Sequence, residues 1–208
     1  MNKRKNDMPF YEIEQIPFSQ FPMNKPKIKS YPTSQEHVVY LYGPIESAEN
    51  YIEIVNILDT MSESDVMNLH ISTPGGDVDS AIVIIHAIRR CQGNVIGHAD
   101  GQVMSAGVPI FLSCKQYAIN PFATFMIHDG SYGSHSKANE HVKSAQAFSS
   151  LLRKVFSEIL IPVFNEDEIN QILDGIDLYV TADDMRDRIS DAFEKQLETT
   201  IEKEEETV

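Results

Sequence analysis

The sequence predicts an α/β protein of stacked β-α units, with mostly parallel strands and one long helix in its second half. Two observations carry this. Short runs rich in β-branched and aromatic residues alternate with helix-period segments at about 30-residue intervals, the spacing of strands joined by crossover helices. Two of the strand-to-helix junctions are marked by glycine, in Ser72-Thr73-Pro74-Gly75-Gly76-Asp77 and in Gly101-Gln102-Val103-Met104-Ser105-Ala106-Gly107. At 208 residues, with 42% hydrophobic and 23% charged content, the chain suits one ordinary domain or a domain with an arm.

The elements follow in order. His37–Tyr42 (HVVYLY) alternates as a strand. Ser47 is placed to cap a helix through Met61, where Ile52, Val55 and Leu58 fall at helical spacing. Met67–Ser72 is a second strand, broken by Pro74-Gly75-Gly76, and Asp77 caps a helix over Val78–Cys91. The centre of that helix, AIVIIHAI, is apolar nearly all round and predicts burial. Asn94–His98 is a third strand, followed by a small-residue helix from about Ser105 to Leu112. Tyr117–Ile119 and Thr124–His128 read as further strands. A Gly/Ser-rich stretch, Asp129–Ser136, precedes a long helix from about Lys137 to Leu160. Thr181 and Asp184 make a capping-box-like start for a last helix.

Charge and punctuation divide the chain into an arm of residues 1–33, a domain of 34–197 and an acidic tail of 198–208. Pro9, Pro17, Pro22, Pro26 and Pro32 make the arm irregular, and its first 30 residues hold six cations against three acids. Residues 191–208 hold seven acids against two lysines, which predicts a solvated, frayed end. A net charge of −14 argues against a surface that coats nucleic acid, which needs clustered Lys and Arg, and against an anionic membrane. No apolar run approaches the ~20 residues of a membrane-spanning helix. The basic start is followed by Asp7, Pro9, Glu12 and Glu14 rather than an apolar stretch, so secretion is unsupported and a cytoplasmic location is expected. Cys91 and Cys114 are too few for a disulfide framework and lack zinc spacing; they read as packed, reduced thiols. There is no HExxH pair, and neither a metal site nor a cofactor is indicated.

Chemistry is expected at the two glycine turns. Gly75 and Gly76 permit positive φ and let backbone N–H groups face a ligand at a helix start, as an oxyanion hole requires; an ordinary tight turn is the plainer reading. Ser105 sits where a strand gives way to a helix among small residues, placed as a nucleophile or as a simple N-cap. The stretch is not a GxSxG elbow, because Val103 occupies the earlier glycine position. A nucleophilic serine needs a base, and His128, at the tip of Thr124-Phe-Met-Ile-His beside a loop, is placed for it. The acid that orients the base is open among Asp174, Asp177, Asp183 and Asp184.

Taken together and in this order, Ser72-Thr-Pro-Gly-Gly-Asp, Gly101-Gln-Val-Met-Ser-Ala-Gly and Phe125-Met-Ile-His resemble the Clp protease proteolytic-subunit family, ClpP, from about Val38 to Asp191. The resemblance implies the ClpP/crotonase fold and a serine endopeptidase acting on unfolded polypeptides, with Ser105 as nucleophile and His128 as base. It implies Asp177, before Leu-Tyr-Val-Thr-Ala-Asp-Asp, as the third triad member, and the amides of Gly76 and Ala106 as oxyanion donors. Val78 and Ser131 match positions near the substrate, and Asp129–Gly133 would pair with a substrate strand. The long helix would be the handle that joins two rings of seven into a chamber, fed by a hexameric ATP-driven unfoldase. Two rival expectations are a catalytically silent ring subunit and a crotonase-type acyl-CoA enzyme; the latter does not require a Ser–His pair.

Overall fold

Strict alternation makes the second strand the best-defined part of the sheet. In β2 (Val66–Thr73) Met67, Leu69, Ile71 and Thr73 are buried, while the residues between them are half-buried on the other face. This computed structural model describes residues 34–133, 135 and 137–205; the Pro-rich arm of residues 1–33 lies outside the described residues. β2 pairs in parallel with β1 (Glu36–Tyr42) on one side and with β3 (Asn94–Met104) on the other. β3 then serves two neighbours: β4 (Gln116–Ile119) along Ile96–Ala99 and β5 (Thr124–Ile127) along Gln102–Met104, both parallel. β6 (Leu178–Thr181) closes the sheet antiparallel to β5. The result is the expected α/β fold, with five strand pairings among the described residues, of which only the last is antiparallel.

The helices cover one face of the sheet. α1 (Ile52–Thr60) follows a 3-10 turn over Ala48–Tyr51, and Ser47 makes no side-chain capping bond there. α2 (Val78–Arg90) is capped by Asp77, whose carboxylate accepts the Ser80 N–H at 2.8 Å. Its apolar centre is not buried all round: Ala81, Ile84, Ile85 and Ile88 are buried, but Val83 and His86 face outward. On the open side the Arg90 guanidinium grips Asp59 of α1 through two bonds of 2.6 and 2.9 Å. Lys115 Nζ donates to the carbonyls of Cys91, Gln92 and Gly93, satisfying acceptors left over at the end of α2. Cys91 and Cys114 are free and buried, and burial pushes the Cys114 thiol up to about 12.

Three boundaries differ from expectation, each for a tertiary reason. β3 continues to Met104 rather than ending at His98, because Val103 pairs with Thr73 and Gln102–Met104 pair with β5. The short helix α3 (Gly107–Leu112) begins two residues after Ser105, whose positive φ of 52° is incompatible with a helix start. The last helix, α6 (Ala182–Glu205), continues past Glu198, where the tail was expected to begin; Thr199 and Thr200 hydroxyls bond back to the carbonyls of Lys195 and Gln196. The long α4 (Ala138–Ile159) is buried only at Leu152 and Phe156, in its second half. Between it and β6 lies α5 (Glu166–Leu173), which the sequence reading did not single out despite its Asn165/Glu168 capping box. Arg188 of α6 fixes α5 through two bonds to Glu168, at 2.8 and 3.1 Å.

The other sheet face carries a titratable cluster. Tyr42 Oη donates to Asp100 at 2.6 Å and His70 Nδ1 to the same oxygen at 2.8 Å. The His70 ring stacks between Tyr40 and His98, at 5.0 and 4.4 Å, and His98 Nε2 bonds Asn68 Oδ1. Burial, then the neighbouring His70, lowers the His98 pKa below the ordinary 6.5. Burial pushes the Asp100 carboxyl up, but the bonds from Tyr42 and His70 outweigh it and leave it below 3.8. Both groups therefore bind protons more readily unfolded than folded. Stability is expected to be fully present above about pH 6.5 and to decline as pH falls through the lowered His98 value, with a second loss below 3.8. The thermal midpoint followed from pH 8 to pH 2.5 checks this; a flat profile in His98→Asn through the upper window is the expected control.

Candidate active site

The two glycine turns meet. Gly75 (φ 93°) lies so close to the second turn that a Cβ built on it would stand 2.6 Å from Ser105 Cβ and 2.8 Å from the Met104 carbonyl oxygen. A Cβ on Gly76 (φ 151°) would overlap the Ile45 carbonyl oxygen. Glycine is needed at both positions, for contact as well as for conformation. Thr73, buried beneath them, accepts the Gly75 N–H on its hydroxyl at 3.0 Å. The segment Gly75–Asp77 is tied to Ile45 by a parallel bridge using the N–H of Ile45 and of Asp77, each at 2.8 Å. The Gly76 N–H takes no part in that bridge.

Ser105 occupies the left-handed region, a conformation that costs a non-glycine residue about 1–3 kcal/mol. Its backbone is held from both sides: its N–H donates to Met126 O at 2.7 Å, and its carbonyl accepts Val108 N–H at 3.0 Å. This bend turns the hydroxyl out at the end of β3 and leaves Ala106, buried, at the entrance to α3. β5 supplies the partner. Met104 pairs with Met126, and His128 follows two residues later, so the register alone brings the imidazole beside the serine. Ser105 Oγ and His128 Nε2 are 2.8 Å apart, both half-buried. With the imidazole proton on Nδ1, the hydroxyl donates to Nε2.

Asp177 directly precedes β6. Ile127 pairs with Leu178, so the next step of the same antiparallel register sets His128 opposite Asp177. Its side chain is exposed, and no hydrogen bond or ion pair of its carboxylate reaches His128 among the described residues. The other acids are placed elsewhere: Asp174 ends α5, Asp183 pairs with Arg186, and Asp184 N–H donates to Thr181 at the start of α6. Asp129, next to the histidine, accepts Gly130 N–H at 2.9 Å instead.

Beside Ser105 and His128 opens a pocket of about 30 Å³. Val78 contributes to it, whereas Ser131 is exposed on the adjoining segment. The pocket's main walls, Ile85 of α2 and Leu152 and Phe156 of α4, were not found by sequence reasoning. Their only signal is the apolar spacing of two helices about 70 residues apart in sequence. Gly130 is pressed against α4 as well: a Cβ there would stand 2.8 Å from the Phe148 ring. Among the described residues no helix is long and apolar enough to cross a membrane.

Fold and site define an α/β protein of stacked β-α units that holds a serine and a histidine in contact at a glycine turn. The chain belongs to the Clp protease family, whose model matches residues 27–203. It is 33% identical over 80 residues to ATP-dependent Clp protease proteolytic subunit 2 of Treponema pallidum (strain Nichols), covering 38% of this chain and 40% of the relative. To the ATP-dependent Clp protease proteolytic subunit of Pleurastrum terricola it is 29% identical over 128 residues, 58% of this chain and 64% of the relative. To proteolytic subunit 2 of Pseudomonas aeruginosa it is 29% identical over 106 residues, 49% and 52% of the two chains. The chain thus matches between 40% and 64% of the length of these curated relatives. Among solved structures, a point mutant of ClpP1 from Listeria monocytogenes superposes with a TM-score of 0.61 at 20% identity, over 73% of this chain and 86% of the other, a likeness of fold.

Proposed function

We propose that this chain is a serine endopeptidase subunit that cleaves unfolded polypeptides inside an oligomeric chamber. The observation that carries the reading is the 2.8 Å contact between Ser105 Oγ and His128 Nε2 beside the Gly75–Gly76 turn. As a substrate carbonyl approaches, Oγ attacks the carbonyl carbon and its proton passes to Nε2. The negative charge that develops on the carbonyl oxygen is met by the N–H groups of Gly76 and Ala106, the first unused by the Ile45 bridge and the second at the entrance to α3. Collapse of the tetrahedral species breaks the C–N bond. His128 returns its proton to the departing amine, and water then repeats the sequence on the acyl-enzyme. Asp177 orients His128 from its place opposite in the β5–β6 register, after its exposed side chain turns inward. The segment Asp129–Gly133, exposed from Ser131 onward, adds the substrate as a further strand by main-chain pairing.

Family membership and α4, buried only at Leu152 and Phe156 in its second half, support assembly through a handle between two rings of seven. A hexameric ATP-driven unfoldase supplies the substrate, a reading supported by the ATP-dependent proteases its relatives are named for. The setting is the cytoplasm. A second reading, a ring subunit without activity, is favoured by one observation, the Asp177 carboxylate out of contact with His128. A fluorophosphonate probe decides between them: the assembled protein is expected to be labelled at Ser105 and Ser105→Ala to be spared, with hydrolysis of a short fluorogenic peptide alongside. An assembled ring that takes no label supports the silent subunit.

A further inference from the structure

Thr73, the last residue of β2, is with Asp65 and Ser80 one of the buried polar side chains among the described residues. A hydroxyl is costly to bury unless it is bonded there, so its contacts are informative. Its two ends reach different turns. The hydroxyl accepts the N–H of Gly75, itself buried, at 3.0 Å. The methyl bears on Gly107: a Cβ built on that glycine would stand 2.5 Å from Thr73 Cγ2, and the next atom, Val103 Cγ1, is 3.7 Å away. Gly75 precedes Gly76 and Gly107 follows Ala106. Thr73 therefore holds the neighbour of each amide that meets the carbonyl oxygen in the peptidase reading.

The hold on Gly75 fixes a direction. A peptide group is planar and trans, so its C=O and N–H point opposite ways. The group joining Gly75 to Gly76 has its C=O held by the Ile45 N–H at 2.8 Å, which turns the Gly76 N–H away from Ile45. The preceding group, joining Pro74 to Gly75, has its N–H held by Thr73. The two planes meet at Gly75, at a φ of 93°. Glycine by itself resists little rotation there, and Pro74 has no N–H to add a second tie. The Thr73 hydroxyl thus sets the first plane against the second. On the other side, Thr73 pairs with Val103 in the β2–β3 register, and its methyl sets how closely the start of α3 approaches that pair.

We propose that Thr73 is a positioning residue for peptide-bond cleavage, setting the aim of the Gly76 N–H through its hydroxyl and the place of the Ala106 N–H through its methyl. The inference rests on the peptidase reading above. Fully buried, Thr73 acts only through the two turns.

Steady-state hydrolysis of a short fluorogenic peptide by the assembled protein tests this, with particle mass and thermal midpoint recorded for each variant. Thr73→Val keeps the shape of the side chain and leaves the Gly75 N–H without its acceptor. Its kcat is expected to fall about 10- to 100-fold with KM within about twofold, because the aimed amide matters only as charge develops. Affinity for a peptide aldehyde is expected to fall by the same factor: Ser105 Oγ adds to its carbonyl carbon, the hydroxyl proton passes to His128, and the carbonyl oxygen becomes an oxyanion. Thr73→Ser retains the hydroxyl and is expected to recover kcat to within about threefold. The methyl is tested by compensation. Gly107→Ala drives a Cβ into Thr73 Cγ2 and is expected to lower kcat about tenfold; adding Thr73→Ser, which lacks that methyl, is expected to regain most of it.

Equal losses in Thr73→Val and Thr73→Ser overturn the proposal, as does a Gly107→Ala loss that Thr73→Ser leaves in place. So does a Thr73→Val protein with a lowered thermal midpoint and an unchanged kcat, the mark of a purely structural side chain. Fluorophosphonate labelling of the wild type is run in parallel. Labelled wild type whose variants fail this pattern rejects the positioning role alone, whereas wild type that neither labels nor cleaves rejects the peptidase reading and the positioning role with it.

Discussion

Ser105→Ala is expected to lower kcat for a short fluorogenic peptide by roughly 10⁶-fold, leaving only the residual rate that binding and the oxyanion donors sustain. His128→Ala is expected to cost a similar factor. The double variant should be hardly worse than either single one, because the hydroxyl and the imidazole 2.8 Å apart perform one proton transfer between them. Neither change should unfold the protein. Both side chains are half-buried, and Ser105 holds its bend through main-chain bonds to Met126 and Val108 that alanine retains. The measurement is steady-state hydrolysis, with particle mass recorded for each variant. A double variant whose loss is the product of the two single losses would show the residues acting separately, against the mechanism above.

Gly76→Ala carries the second large effect. Its new methyl would overlap the Ile45 carbonyl oxygen, which is backbone and cannot swing aside, and its φ of 151° is one that alanine rarely adopts. The Gly75–Asp77 segment must therefore shift away from Ile45, and it is the same segment that aims the Gly76 N–H and touches Ser105. We expect a fall of about 10²–10³ in kcat, the loss of one oxyanion donor, and about 1–3 kcal/mol of lost stability from backbone strain. Gly43→Ala separates the two. Gly43 also has positive φ, at 81°, but a Cβ there meets nothing within 4 Å. It should lose stability of the order of 1 kcal/mol and keep its kcat. If Gly76→Ala behaves like Gly43→Ala, the Gly76 amide is not an oxyanion donor.

The same residues show how much of the molecule was legible beforehand. Alternation in Met67–Ser72, helical spacing in Val78–Cys91 and the Pro-Gly-Gly break between them are local patterns, and the parallel β-α class follows from their repetition. Ser105 and His128 could be singled out because one ends a strand among small residues and the other ends a strand beside a loop. The extension of β3 to Met104 was not legible, since Asp100 and Gly101 are poor strand formers and the strand is carried across them only by the pairing of their neighbours, Ala99 and Val103 with β2 and Gln102–Met104 with β5. The amphipathic character of α2 was hidden for a similar reason: its outward-facing Val83 looks like core until α1 and the sheet are placed.

By itself, then, the sequence of this Clp-family chain determined the fold class, the two glycine turns, and a serine and histidine at strand ends. All of these depend on a few consecutive residues: on period, on glycine's freedom, on where a strand stops. Only the tertiary structure decided that Gly75 lies against Ser105, that the serine is bent into the left-handed region 2.8 Å from His128, that the β5–β6 register sets an exposed Asp177 opposite the histidine, and that Ile85 of α2 and Leu152 and Phe156 of α4 wall the pocket beside them. Each of these is a contact between segments 20 to 70 residues apart, set by strand register and helix packing at ångström scale, and no local period in the chain encodes such a distance.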